Sequence, residues 1–277
     1  MGTSSAVYET ERAESVAAHI AAALAASAER SHADERWSGC WDAIGPAQPH
    51  DPVNNTVWSG INRYALAAGR TAIGGAPTGA WATEESWQGA GRALRAGEPG
   101  IVTLHAGLGG LRAVTVYNAC QLAEPAAPDE RFAAPPPLEA ADIDRLFAGG
   151  GVASTEEDPE RRASQLAEVA VAQTGAALGR PAGWQDARES LVGVLASQVA
   201  VNALGFAYWP DRPAPDVVEE WSELLRGPDG GGAALAATAD AARLAASVVE
   251  QIAAHQLEAP HQGAAALDAG YPHPFID

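Results

Sequence analysis

The segment from residue 122 to residue 160 constrains this chain most. It holds Pro135-Pro136-Pro137, then Gly149-Gly150-Gly151, then the acidic run from Glu156 to Glu160. Proline lacks the backbone donor that a helix or central strand requires, and a glycine triplet has no side chains to bury. No regular element crosses such a stretch, so residues 126–160 read as a linker. The chain then divides into an N-terminal unit, 1–125, and a C-terminal unit, 161–277, as expected for 277 residues.

The two units differ in pattern. In the first, Val16, Ile20, Ala23, Leu24 and Ala28 recur at helical spacing and predict a helix over about 14–29. A polar loop with Trp37 and Trp41 follows. Short helices are then expected near Gly60–Ala68 and Thr83–Ala93, and strands at Ile101–His105 and Ala113–Tyr117 about a Gly107–Gly110 turn. The second unit predicts helices at about 160–178, 187–205, 215–226 and 233–257. In the last of these, Leu235, Ala239, Ala242, Ala246, Val249 and Ala253 form one apolar stripe. The tail after Ala259 carries Pro260, Pro272 and Pro274 without a period and reads as an extended strap. The expected class is α+β, with a mainly helical second half.

Charge separates the units further. All 17 cations are arginine, against 35 acids, for a net charge of -18. Residues 54–121 alone are positive, with five Arg and three Glu, whereas 122–277 carry nine Arg and 24 acids. A broad basic surface for duplex DNA is therefore excluded, because each phosphate contact needs a local cation. The positive segment also holds Trp58, Trp81, Trp87, Tyr64 and Tyr117, and arginines interleaved with aromatics suit a single strand.

The first fifteen residues include Glu9, Glu11, Arg12 and Glu14 where a secretory peptide needs an apolar core, so a cytoplasmic protein is expected. In that compartment Cys40 and Cys120 are expected as thiols. The uncharged run Ser190–Pro210 contains Ser197, Gln198 and Asn202 and lacks basic flanks; it reads as a buried helix, and no membrane partner is expected.

One series of motifs carries a family resemblance: Pro52, Asn54, Trp58-Ser59-Gly60-Ile61-Asn62, Trp81-Ala82-Thr83, Gly89 to Gly91, Arg95-Ala96-Gly97-Glu98 and Tyr117-Asn118-Ala119-Cys120-Gln121. In order and spacing it resembles the N-terminal domain of ArdC-type antirestriction proteins, over about residues 37–123. The resemblance implies an α+β fold, single-stranded DNA binding (RNA offers the same chemistry) and an antirestriction role for a plasmid, phage or other mobile element. The expected contacts are Trp58, Trp81, Trp87 and Tyr117 as stacking faces, Arg63, Arg92, Arg95 and Arg112 as cations, and Asn62, Thr83, Asn118 and Gln121 as polar contacts. Each aromatic is equally able to serve a core, and each amide to brace a turn. Ser59, Ala96 and Pro99 stand where relatives carry cations.

The C-terminal unit resembles that family's second domain, a zinc metallopeptidase, as a shell. Aligned on Thr174-Gly175, Glu168 and Ala172 stand where the His-Glu-x-x-His histidines belong, and Val169 replaces the catalytic Glu. The third-ligand region, Glu189 to Val194, has lost most of its acids. Hydrolysis on zinc needs three protein ligands, an open position and a base. The expectation is no catalytic residue, no metal, no cofactor and no enzymatic activity. The acidic unit is expected to meet a protein partner, or, as the alternative, to imitate DNA and inhibit a restriction or other nucleic-acid enzyme.

Overall fold

The computed structural model describes residues 3–32, 49–70, 73, 78–107, 110–124, 143–144, 147, 154–181, 186–209 and 211–258. The loop with Trp37 and Trp41, most of the expected linker and the tail after Ala259 lie outside them.

Helix α1, Thr3–His32, is longer than its apolar stripe predicts. Ala13, Ala17, Ala21, Ala25 and Ala28 are all buried along one side, and methyl-sized side chains let neighbouring helices come close. A two-residue ribbon follows, β1 (His50–Asp51) antiparallel to β2 (Thr56–Val57), then α2 (Ile61–Gly69). A three-stranded antiparallel sheet has the order β3-β5-β4, from β3 (Trp81–Ala82), β4 (Ile101–Gly107) and β5 (Gly110–Asn118). In the hairpin Ile101 faces Val116, Thr103 faces Val114 and His105 faces Arg112. Helix α3, Glu84–Gly89, is shorter than expected. Gly91 takes φ 73°, a left-handed conformation that ends a helix, and Leu94 then bridges to Leu122.

The second half is helical as read: α4 (Pro159–Ala177), α5 (Ala187–Ala203), α6 (Pro215–Arg226) and α7 (Gly230–Glu258). The end of the acidic run starts α4, because Asp158 accepts from the amides of Glu160 and Arg161 and Pro159 takes the first turn. Ser190–Ala203 lies within α5, where Leu191, Val192, Leu195, Ala196, Ala200 and Val201 are buried. Within α7, Gly230–Ala254 is long and apolar enough to cross a membrane by length and composition; it packs against α1 and α5.

One large core gathers α1, α2, Leu104 of β4 and the four C-terminal helices, with Ile143 and Phe147 from the middle of the chain. Two smaller clusters sit about the sheet: Trp58, Leu66, Ile73, Trp81 and Val116, and then Ala80, Ala82, Trp87, Ala119 and Leu122. Arg180 binds Glu189 at 2.9 and 3.0 Å and Asp240 at 3.3 Å, tying the end of α4 to α5 and α7.

The approach of α1 to α7 is tightest at Gly231, where a Cβ would stand 2.8 Å from the Ala18 nitrogen and 3.1 Å from the Ala17 carbonyl carbon. Gly→Ala in a helix ordinarily gains up to about 1 kcal/mol. Here Gly231→Ala is expected to lose about 1–3 kcal/mol instead, because the methyl meets backbone. Urea denaturation checks the sign.

Candidate functional site

The motif residues converge on β3, α3, β5 and the turn around residues 91–100, but most of them face inward. Trp58, Trp81 and Trp87 are 7%, 1% and 3% exposed. The Trp58 indole donates to the Trp81 carbonyl at 3.1 Å and meets His105 edge-on, with centroids 5.0 Å apart. The Trp87 indole donates to the Tyr117 carbonyl at 3.1 Å. A buried indole N–H takes an internal acceptor, so these three rings are core and present no face to a base. This corrects the stacking role expected for them. Tyr117 is half-buried; its ring lies against Gly100, where a Cβ would come within 3.0 Å of Tyr117 Cζ.

The polar motif residues are braces. Asn62 clamps β4 through both amide atoms, donating to the Leu104 carbonyl at 2.6 Å and accepting from its amide at 2.7 Å. Thr83 caps α3 by accepting from the Ser86 amide at 3.0 Å. Asn118 and Gln121 form a reciprocal capping box around the 3-10 turn Ala119–Gln121. The Asn118 side chain also holds the Thr78 backbone at both its N–H and its carbonyl, and Gln121 donates to the Pro99 carbonyl at 2.8 Å. Asn62, Asn118 and Gln121 are thereby occupied by backbone, which corrects their expected contact with nucleic acid.

The four arginines part company. Arg63 is buried and donates to Asn202 of α5 at 2.6 Å, so it joins the two halves and is withdrawn from any phosphate. Arg95 is partly exposed; it donates to Glu98 at 2.7 Å and to the Cys120 and Leu122 carbonyls at 2.7 and 3.2 Å. Glu98 is held below the usual carboxylate range, first by the Gln121 hydrogen bond and then by Arg95. Arg92 and Arg112 are exposed. Arg112 shares a strand face with Val114 and Val116, opposite to that of Tyr117. Beside it His105 is pushed down by burial and then by Arg112. Arg92 and Arg95 are thus exposed on the segment 91–100, whose Gly100 meets the Tyr117 ring, while Arg112 lies on the opposite strand face from Tyr117.

In the helical half Glu168 accepts from the Tyr208 hydroxyl at 3.0 Å. Burial pushes Glu168 up to about 7 and raises Tyr208 as well. Nothing local in the sequence signals this pair, because the partners are 40 residues apart.

No family model and no curated protein matches the chain. Two solved structures share its fold. A metal-free crystal structure of the antirestriction protein ArdC from plasmid R388 superposes with a TM-score of 0.63 at 21% identity, covering 86% of this chain and 98% of that one. A Mn(II)-bound structure of the same protein gives a TM-score of 0.55 at 21% identity, covering 77% and 96%. The ArdC-like resemblance and the α+β architecture read from the sequence are therefore both met at the level of the fold.

The residues here do not fit a divalent ion of the kind that neighbour holds. Val169 and Ala172 offer no donor, Glu168 is half-buried and engaged with Tyr208, and no group of three His, Cys, Asp or Glu comes together among the described residues. The carboxyl of Glu168 instead gives a pH signature. Folding takes up a proton that the unfolded chain releases above the ordinary value of 4.5. This contribution is fully present below that pH and is lost as pH rises through about 7. Glu168→Gln is therefore expected to flatten the fall in stability between pH ~5 and ~7.5, by up to about 3 kcal/mol. Urea midpoints of parent and variant across that range measure it.

Proposed function

We propose that this chain is a non-enzymatic antirestriction protein of a mobile element, acting in the cytoplasm and binding single-stranded DNA weakly through the 91–100 turn. The observation that carries the reading is the ArdC fold, shared over 86% of the chain. Arg92, Arg95 and the half-buried Tyr117 all belong to the one positive segment, and both arginines are exposed. Binding is weak because Ser59, Ala96 and Pro99 supply no charge and Glu98 already neutralises Arg95. The helical half is read as a pseudo-peptidase because no group of three His, Cys, Asp or Glu comes together among the described residues to hold a metal. It serves as scaffold and protein-binding surface.

A second reading is supported by α6, whose outer side exposes Asp216, Glu219, Glu220 and Glu223. Carboxylates in a row can occupy the DNA groove of a restriction enzyme, and the ligand would then be protein rather than DNA.

An electrophoretic shift with a labelled oligonucleotide separates the two. The DNA reading expects a single-strand complex whose salt slope is about -0.7, from one phosphate contact at Arg92. Arg92→Ala should reduce the magnitude by about 0.7, and Arg112→Ala, on the other strand face, should not change it. Absence of any shift at low salt, with inhibition of a restriction enzyme retained, supports the acidic reading instead.

A further inference from the structure

An open groove of about 530 Å³ lies between the C-terminal part of α1 and α6. Its volume is that of a small organic ligand rather than of an ion. Pro215 and Val218 supply an apolar wall. Glu219 and Glu223, one helical turn apart on α6, supply two exposed carboxylates on the same side. Like charges at this spacing repel. Across the groove Glu29 is matched by Arg226, which donates to it through both terminal nitrogens, one of them at 2.8 Å. That pair is self-neutralised, so Glu219 and Glu223 set the sign.

A second observation points to a ligand. Ser222 also lines the groove, and its hydroxyl is buried with no hydrogen-bond partner among the described residues. An orphaned buried hydroxyl is a standing penalty, relieved when a donor or acceptor reaches it. An aliphatic wall, two free carboxylates and an unused hydroxyl together fit a cation on a hydrocarbon stem. A planar guanidinium bridges two carboxylates as a bare ammonium does not, and its stem packs on Val218 and Pro215. A hard metal ion would need six or more oxygens, which this wall does not offer.

We propose that the α1–α6 groove is a receptor for an arginine side chain presented by a basic partner protein. Its position on the helical half makes the site independent of whether the 91–100 turn binds DNA.

The test is calorimetric or NMR titration of the full chain with a capped Gly-Arg-Gly peptide and with its citrulline counterpart, which keeps shape but loses charge. Millimolar or tighter binding of the arginine peptide, and at least about tenfold weaker binding of the citrulline peptide, is expected. Glu219→Gln with Glu223→Gln should weaken the arginine peptide by about tenfold. Asp216→Asn with Glu220→Gln removes the same charge from the same helix outside the groove and should leave binding unchanged. Ser222→Ala should weaken binding several-fold while holding or raising Tm, since it deletes an unpartnered hydroxyl. Equal loss in both charge-matched double variants would show attraction to the acidic half at large and overturn the site. So would equal binding of the citrulline peptide, no effect of Ser222→Ala on binding, or no binding of the arginine peptide at all.

Discussion

A buried arginine sets how the halves of this protein meet. Arg63, on α2, reaches Asn202 on α5, and a charge out of water holds its place only where hydrogen bonds replace its solvation. Around it the apolar core is continuous from α1 and α2 through Leu104 into the C-terminal helices. The many alanines in that core carry little area each, so close approach of long helices, as at Gly231 against Ala17 and Ala18, does the work of bulk.

The second constraint is the polar knot at the end of β5. Asn118 and Gln121 cap one another, seize Thr78 and Pro99, and through Glu98 reach Arg95. Hydrogen bonds to backbone define the turn's shape there, beside the apolar cluster of Ala80, Ala82, Trp87, Ala119 and Leu122. The same knot turns the motif's amides inward, and the indoles are buried about the small sheet together with Leu66, Ile73, Val116 and Leu122. Arg92, part of Arg95 and part of Tyr117 remain outside.

The helical half inverts this balance. Its arginines are largely spent on internal pairs, with Arg180, Arg188 and Arg243 meeting at Asp240, while the acids of α6 stay exposed. Excess carboxylate on a stable helical scaffold selects cationic partners. The pocket behind those acids gives that preference a defined place. Glu168, by contrast, has been absorbed into the fold by Tyr208.

The sequence by itself determined the elements. The α1 stripe, the 101–118 hairpin and the four C-terminal helices all follow from apolar period and from the turn and linker residues between them, because these signals act within a few residues. The spaced motifs likewise carried the ArdC-like fold. Only the tertiary structure decided which way the motif side chains face. Trp81 and Tyr117 read alike along the chain, yet one is sealed in the core with Leu66 and Val116 and the other edges on Gly100. Arg63 and Arg92 are the same residue type in the same positive segment, yet one is buried against Asn202 and the other exposed. Burial depends on partners such as Asn202, 139 residues away, and no local pattern encodes a partner at that distance.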